Sequence, residues 1–546
     1  MENNKKSTKN SFMIQGAVLA GAGLITKLIG FAYRIPVANI LGDQGNGLYS
    51  IAFGIYNIAL TLSSYSLPLA VSKLVSARLA KKEYKNSYRV LMDALLFALI
   101  AGGLAFALLF FGADALADIY QSEGLEQPLR ILAPTVFIVA FLGVFRGFFQ
   151  GMKNMVPTAM SQILEQIVNA IVSVVAAYQL TRIFAESGQV AAYGAMGSTI
   201  GTLAGAASAL ALVALLFILY RPRFQKKMLH DTNEDEDHAL ICKALILTVI
   251  PVILSQTIYQ IGHTLDDFLF GNLMKLKGFE EAVIKSMQGV YSTQYNQLVN
   301  LPVAIATALA ATTIPNIVQL NVQKKHDEAR AQITSVIKIN MVIAIPAAVG
   351  IAVLAKPIMM LLYPNLVTYQ PLAVNFLMFG SSAVVFYALS TITTSILQGS
   401  NYMKLPVIHS LASLIMHVII VAGLLYFTDL GAYALLIGNV SFPLIVSLLN
   451  CRSVAKHLNY RFCPMALFGT PLVASLMMGI ATLGVYHSVH FIIPSNFVAI
   501  LFAIIAAVIV YVFVILGGNC FTDQEIIDLP MGLRILKLRN KIFRRK

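Results

Sequence analysis

The sequence predicts an all-α integral membrane protein of about 14 transmembrane helices, arranged as two six-helix lobes related by pseudo-two-fold symmetry plus two extra C-terminal helices. Composition gives the first indication: 58% of the 546 residues are hydrophobic and only 12% charged, about half the charged share of a soluble chain. Secondly, apolar runs long enough to cross a hydrocarbon core of about 30 Å recur along the whole length. They are continuous rather than alternating, which selects helices over barrel strands, and in lipid the backbone must pair internally. Thirdly, the chain nearly repeats itself. Gln150-Gly151-Met152-Lys153-Asn154-Met155-Val156-Pro157 answers to Gln398-Gly399-Ser400-Asn401-Tyr402-Met403-Lys404-Leu405-Pro406, and Gly47-Leu48-Tyr49-Ser50 answers to Gly289-Val290-Tyr291-Ser292. Two matches in the same order at nearly one offset suggest a duplicated bundle, the usual architecture of a transporter.

The expected spans are 12–38, 48–72, 90–111, 131–149, 156–178, 193–220, 241–265, 288–314, 333–354, 372–397, 405–426, 431–450, 464–486 and 496–516. The repeat groups residues 1–220 as an N-lobe and 239–450 as a C-lobe, joined by a linker at 221–238. That linker carries the acidic run Asp231 to Asp237 between His230 and His238 and reads as a solvated hinge rather than a cation site. Residues 464–516 lie outside the repeat as spans 13 and 14. In the tail, 517–546, Thr522-Asp523-Gln524-Glu525 reads as a capping box. Met531 to Lys546 mixes Leu, Ile and Phe with basic residues, as an interfacial helix on an anionic leaflet does.

Charge orients the chain. With a cytoplasmic N-terminus only Arg34, Arg130, Arg182, Lys275, Lys277, Lys285 and Lys356 fall outside, and Lys27 and Arg146 lie within spans; the other 30 of the 39 Lys and Arg residues fall inside. This bias places both termini in the cytoplasm and accounts for most of the +14 net charge without a nucleic-acid partner. Cys242, Cys451, Cys463 and Cys520 map to the same side and read as reduced, structural thiols. Lys5, Lys6 and Lys9 before a long apolar run resemble a signal peptide, but the run is too long and lacks a clear cleavage site, so an uncleaved first span is expected.

Polar groups placed in lipid at a cost mark the functional positions. A mid-bilayer charge costs at least about 2.5–3.5 kcal/mol, so it faces a cavity or a partner. Lys27 and Arg34 are seven residues apart, close to two turns, and share a face of span 1 near Gly30 and Pro36, which can break or bend that helix. Arg146 and Glu165 read either as an ion pair between neighbouring helices or as a relay in which Glu165 exchanges partners with Lys27. Gln256, Gln260, His263 and Asp267 recur every three or four residues along span 7, with Tyr259 and Asp266 adjacent, as a stripe lining a wet path does. Span 8 adds Gln294, Gln297 and Asn300, uncharged groups suited to sugars or amides. His409 and His417 read as packed, hydrogen-bonded histidines. No phosphate-loop, zinc-protease or nucleophile-elbow motif is present and there is no soluble ATPase domain, so the expectation is a transporter rather than an enzyme. No cofactor or metal is expected; a Na+ or H+ gradient or the membrane potential would drive it.

Gly30-Phe31-Ala32-Tyr33-Arg34-Ile35-Pro36, Leu41-Gly42-Asp43-Gln44-Gly45-Asn46-Gly47-Leu48-Tyr49 and Leu67-Pro68-Leu69-Ala70-Val71-Ser72-Lys73-Leu74 resemble the opening of the stage V sporulation protein B group. That group belongs to the multidrug/oligosaccharidyl-lipid/polysaccharide exporter superfamily. The two Gln-Gly turns and the basic tail also fit. The resemblance implies a two-lobed bundle, similar to the lipid II flippases, that moves an undecaprenyl-pyrophosphate-linked saccharide across a bacterial plasma membrane by alternating access. It further implies membrane lipids and cell-wall or glycan synthesis enzymes as partners and a monomeric state. On it, Lys27 matches a cavity arginine and Arg34 lies one place beyond another, at Tyr33, whereas span 8 lacks the arginine some lipid II flippases need. The pyrophosphate would be met by cations such as Lys27 and Arg34. A cation-coupled multidrug antiporter of the same fold is the alternative; the absence of Trp and the scarcity of mid-membrane carboxylates weigh against it.

Overall fold

Continuous apolar sequence folds into continuous helix. In the computed structural model the described backbone covers residues 2–322, 325–518, 521, 523, 526 and 532–543. Side chains at 2–17, 20, 24, 251–252, 254–261, 263, 308–316, 318–319, 321–322, 326, 532, 535, 538 and 542–543 lie outside the description. Every regular element among the described residues is helical, and the chain forms two compact units, Met1–Gly289 and Val290–Lys546.

The first unit comprises α1 (Glu2–Ser63), α2 (Leu67–Ala80), α3 (Tyr84–Phe111), α4 (Ala113–Ile119), α5 (Glu126–Gly151), α6 (Val156–Ile183), α7 (Val190–Leu229), α8 (His238–Leu276) and α9 (Glu281–Gly289). Helix α1 holds the first expected span and most of the second, which runs on through a turn at 64–66 into α2. Its backbone continues through Gly30 and Pro36, the expected break points, and departs from helical angles at Gly42, where φ is 65° and ψ −177°. Only glycine adopts that conformation without steric penalty. The bend brings Asn46 Nδ2 within 2.8 Å of Ala38 O, although eight residues of straight helix would separate them by about 12 Å. The returning half carries Gly47 so close to α9 that a methyl group there would overlap the Lys285 carbonyl, and one on Gly289 would overlap that of Asp43. Equivalent glycines of the sequence repeat therefore meet at one close crossing.

Helices α6 and α7 pack through a small-residue stripe. Gly197, Gly201 and Gly205 lie against Ala177, Ser173 and the Glu165 carbonyl, and Ser173 Oγ donates across the interface to Ser198 O at 2.8 Å. Helix association in lipid relies on such close backbone approach and interhelical hydrogen bonding.

The second unit continues from a π-helical turn (Val290–Tyr295) into α10 (Asn296–Val322), α11 (His326–Val353), α12 (Ala355–Leu362), α13 (Gln370–Gly380), α14 (Ser382–Gly399), α15 (Lys404–Phe427) and α16 (Tyr433–Leu458). A second π turn (Met465–Gly469) precedes α17 (Thr470–Ile492), α18 (Asn496–Gly517) and α19 (Gly532–Phe543). The added span α18 docks on α11 and α12 through specific bonds: Tyr511 hydroxyl donates to Val342 O at 2.7 Å and Asn496 Nδ2 to Pro357 O at 2.9 Å. In the tail, Arg539 is buried and bonds Asp523, so the basic face expected of α19 is not wholly external. The expected capping box lies largely outside the described residues.

Eleven helices are long and apolar enough to cross a membrane, among the described residues. One of those stretches, Gly21–Ala80, contains most of the first expected span and all of the second, and α8 and α10 run where the seventh and eighth were placed. The helix faces confirm the solvent. On α15, Ile408, Leu411, Ile415 and Ile419 are exposed, whereas Ser410, Ser413 and His417 are buried. This inverts the soluble pattern, as expected where lipid contacts the large apolar side chains. As expected, His409 Nδ1 pairs with Asn450 Oδ1 at 2.8 Å and His417 Nδ1 with Gly438 O at 3.0 Å. Cys242, Cys451 and Cys463 are free thiols; Cys520 lies outside the described residues.

The duplication is visible in local geometry. After α5, Lys153 N donates to Gln150 O and Asn154 N to Phe149 O; after α14, Asn401 N donates to Gln398 O and Tyr402 N to Leu397 O. Lys153 and Asn401 both occupy the left-handed region, at φ 59° and 68°. These are the same helix-ending turn.

The linker departs from a free hinge. Although mostly exposed, it is laced to the α2–α3 turn within the first unit: Glu236 pairs with Arg78, Asp235 with Arg89 at 2.6 Å, and Asn86 bonds both Glu234 O and Glu236 N. His238 Nδ1 meets Asp93 Oδ1 at 2.7 Å. Burial pushes the Asp231 pKa up, but hydrogen bonds from the Lys85 and Asn233 backbone and the Asn233 side chain outweigh it and hold the carboxyl below its ordinary value. Asp231 therefore stabilises the strap fully above the unfolded pKa of 3.8, and that contribution is lost as pH falls through the lowered folded value.

Two expectations follow. Gly201→Leu forces α6 and α7 apart and should destabilise the protein by about 1–3 kcal/mol or more; an unchanged thermal midpoint in detergent would disprove the close packing. Arg78→Ala and Asp231→Asn should each raise amide exchange across residues 231–237 at neutral pH, and the Asp231→Asn effect should vanish once the pH falls below the lowered folded pKa of Asp231. Equal exchange in wild type and variants at neutral pH would show that the strap is not held.

Candidate functional site

In the first unit, α1 supplies the cations. Arg34 lies on the span before the Gly42 reversal, and the reversal returns Tyr49 and Phe53 to its side. The guanidinium sits beside the Tyr33 and Tyr49 hydroxyls and 5.5 Å from the Phe53 ring centroid. The polar chain continues into α6 and α7. Asn169 Nδ2 donates to Tyr33 Oη at 3.1 Å, Ser173 Oγ lies 2.8 Å from both Asn169 Oδ1 and Ser198 O and shares its one proton between them, and Tyr49 reaches Ser198. Among the described residues, no carboxylate lies within ion-pairing distance of Arg34. Its positive charge is surrounded by hydroxyl oxygen and aromatic faces but is not neutralised, so it can still take an anion.

Lys27 is exposed on the same helix, about 10 Å before Arg34 along the axis. Between the two, Gly30 leaves room for Gln166, whose Oε1 would lie 3.6 Å from a methyl group there. Gln162 Oε1, a turn earlier on α6, is buried without a hydrogen-bond partner among the described residues. Both glutamines are on the helix that carries Glu165.

Arg146 and Glu165 come together. Arg146 Nη2 lies 2.8 Å from Glu165 Oε2 and Arg146 Nε donates to Ser161 at 2.9 Å, joining α5 to α6. Glu165 also lies near the buried Tyr56. Asp267 on α8 is buried beside Gly54 of α1, next in sequence to Phe53; a methyl group on Gly54 would sit 3.9 Å from Asp267 Oδ2 and 3.4 Å from Thr264 Oγ1. Gln256, Gln260 and His263 lie on α8, with their side chains outside the described residues.

Gln294, Gln297 and Asn300 belong to the second unit. Gln294 is buried in the π-helical turn with Oε1 unpartnered among the described residues, Gln297 is half-buried and Asn300 exposed. Nearby, Tyr295 donates to Gly380 O at 3.0 Å and lies 3.0 Å from Asn439 Oδ1, and Asn439 Nδ2 donates to Asn296 at 3.3 Å. The described residues of that polar core are uncharged.

The sequence reading of candidate residues missed Tyr33, Tyr49, Phe53, Asn169, Ser173 and Ser198. A signal existed: Gln162, Glu165 or Gln166, Asn169 and Ser173 recur every three or four residues along α6, the spacing that singled out span 7. The Arg146–Glu165 pair is partly buried, at 14% and 25% side-chain exposure, so its coupling should exceed that of a surface pair. A double-mutant cycle with Arg146→Ala and Glu165→Ala should return about 1–3 kcal/mol of thermal-stability coupling; a value near zero would remove the pair from the supports of the fold.

The polysaccharide biosynthesis protein model matches residues 14–321, and the MatE model matches residues 293–422. The chain is 25% identical over 413 residues to the lipid II flippase MurJ of Bacillus subtilis (strain 168), covering 73% of this chain and 75% of the relative. It is 24% identical over 452 residues to stage V sporulation protein B of the same organism, covering 82% and 85%. Among solved structures, an inward-facing multidrug resistance MATE transporter of the MOP superfamily superposes with a TM-score of 0.66 at 18% identity, over 80% of this chain and 95% of that one. Lipid II flippase MurJ in an inward closed conformation superposes with a TM-score of 0.65 at 14% identity, over 91% and 98%. These likenesses fix the fold, and the match to residues 14–321, more than half of the chain, places this multi-span helical membrane protein in the polysaccharide biosynthesis protein family.

Proposed function

We propose that this protein is a flippase that moves a lipid-linked glycan with an anionic pyrophosphate linkage, lipid II or a related cell-wall or polysaccharide precursor, across a bacterial plasma membrane by alternating access. The observation that carries this reading is Arg34: a permanent cation within an apolar bundle, held by Tyr33, Tyr49 and Phe53 and matched by no carboxylate among the described residues. Keeping a charge in a spanning helix is costly, and a dianionic pyrophosphate offsets that cost where a neutral or cationic cargo does not. Lys27, two turns away on the same face, would take the second phosphate or guide its approach. The uncharged glutamines Gln162 and Gln166 suit the sugar portion. A relative named for lipid II flipping supports the same cargo class. In this reading the charge distribution sets both termini in the cytoplasm, transport runs from the inner to the outer leaflet, and an ion gradient or the membrane potential drives it.

A cation-coupled multidrug antiporter is the second reading. The MatE match and the buried Asp267 beside Gly54 and Thr264 favour it, since a buried carboxylate in a span suits a cationic cargo or coupling ion.

The deciding experiment replaces the native lipid II flippase of a bacterium with this protein and measures lipid II accessible at the outer surface. Accessibility should be restored by the wild type and fall at least about tenfold in Arg34→Ala at equal protein level, in keeping with the loss of charge-assisted bonds. Lys27→Ala should also reduce it. Full activity of the double variant would overturn the cation grip. Failure of the wild type, with cation efflux from inverted vesicles, would move the assignment to the antiporter.

A further inference from the structure

A second cationic locus lies at the other end of the first unit, away from the spans. Helix α2 ends at Ala80 and α3 begins at Tyr84; between them Lys81 and Lys82 form a tight turn, with Lys82 in the left-handed region at φ 65°. The last turns of α7 bring Lys226 and Lys227 against this turn, and the start of the strap adds His230. Together with Tyr84 these side chains line an open cavity of about 580 Å³.

Charge in this cavity is one-sided. Its single carboxylate, Asp231, is already engaged by the Lys85 backbone N–H at 2.8 Å and by Asn233 through its N–H at 3.0 Å and Nδ2 at 2.7 Å. The other strap carboxylates go elsewhere, Glu236 to Arg78 and Asp235 to Arg89. Lys82, Lys226 and Lys227 form no ion pair among the described residues, and Lys81 has only Glu83, at 3.8 Å. Lys227 Nζ is held 5.6 Å from the Tyr84 ring centroid. A positive-inside bias explains why lysines lie on this side of a membrane, but not why four from segments about 145 residues apart converge on one cavity while nearby acids bypass them.

We infer that this cavity is an anion site for a phosphate-bearing ligand, distinct from the Arg34 site. Several ammonium groups around one space repel each other until an anion with several oxygens joins them, and a phosphate offers those oxygens where a lone carboxylate offers two. Helix α7 has 40 residues and is about 60 Å long, against about 40–45 Å for a bilayer with its headgroups, so its last turns can reach past the hydrocarbon to the headgroup level or into water. The phosphate can therefore come from an anionic phospholipid or from a soluble phosphate compound. The inference does not depend on the transported cargo.

The test uses the full-length protein, in a Lys27→Ala/Arg34→Ala background so that the site in the spans contributes nothing. Inorganic pyrophosphate is titrated onto protein in neutral detergent, and retention of phosphatidylglycerol is measured in nanodiscs against phosphatidylcholine alone. Saturable pyrophosphate binding identifies a soluble ligand; selective phosphatidylglycerol retention with no pyrophosphate binding identifies a lipid headgroup. Either must weaken at least about tenfold in the Lys82→Gln/Lys226→Gln/Lys227→Gln variant and persist in the corresponding Lys→Arg variant. Arg221→Gln/Arg223→Gln, which removes charge from the same end of α7 outside the cavity, must leave it within about twofold. Should the triple glutamine variant fail to assemble, Lys226→Gln and Lys227→Gln singly must each show a smaller loss. Absence of both signals, or equal loss in the Arg221/Arg223 variant, overturns the site and leaves a general surface charge.

Discussion

A guanidinium inside an apolar helical bundle has to be surrounded by polar groups, and much of the first unit is organised around that demand at Arg34. Three features meet it. The Gly42 reversal folds α1 back so that Tyr49 and Phe53 return to the side of Arg34. The glycine stripe of α7 lets that helix approach α6 closely enough for Ser173 to bond Ser198 O. Asn169, held by Ser173, then steadies the Tyr33 hydroxyl. Each feature supplies hydroxyl or amide groups rather than a counter-ion, so the site is polar and held in place but still electropositive. A carboxylate in the same position would have stabilised the cation and removed its capacity to bind an anion.

The second unit builds one polar core from similar components without a charge. Tyr295 occupies a slot that Gly380 leaves open and is tied through Asn439 to Asn296, a polar core of neutral groups. The Gln-Gly turns of the two halves have the same hydrogen bonds and the same left-handed residue, so the duplicated frame survives where chain reversal is at stake. Between repeats these turns are retained, whereas the Tyr295 core is built of neutral groups where the Arg34 site holds a cation. This is the pattern expected if the turns serve folding while the cation serves a cargo.

The sequence made the frame legible because lipid imposes a simple rule: long continuous apolar runs can only be helices. It revealed Arg34 and Lys27 because charges in such runs are rare, and it paired Arg146 with Glu165 because each is the sole charge near the middle or end of its span. It did not reveal the shell of Arg34, since Tyr33, Tyr49 and Ser198 are ordinary residues whose role depends on the reversal at Gly42 and on helix contacts far apart in sequence. Gly30 and Pro36 looked like the break in α1, yet a helix tolerates proline and glycine in lipid, and the departure occurs where positive φ is required. The solvated linker shows no sign in the sequence of what holds it: its composition is that of a loop, and its partners Arg78, Asn86 and Arg89 lie about 150 residues away.

The acidic residues explain where positive charge remains available. Glu165 is committed to Arg146, and Glu236, Asp235 and Asp231 are committed to the α2–α3 end of the first unit. Each of these carboxylates neutralises a partner or holds backbone in place, and none reaches Arg34, Lys82, Lys226 or Lys227 by an ion pair among the described residues. With 39 Lys and Arg against 25 Asp and Glu in the chain, some cations must go unmatched. Two of the places where cations stay unmatched are Arg34 within the spans and the lysine cavity beyond them. Uncompensated charge held in two polar, shaped environments costs free energy in the empty protein, and a bound anion lowers that cost at both. The same bias in charge thus serves two purposes, membrane orientation through its overall sign and anion recognition through the places where the carboxylates leave it exposed.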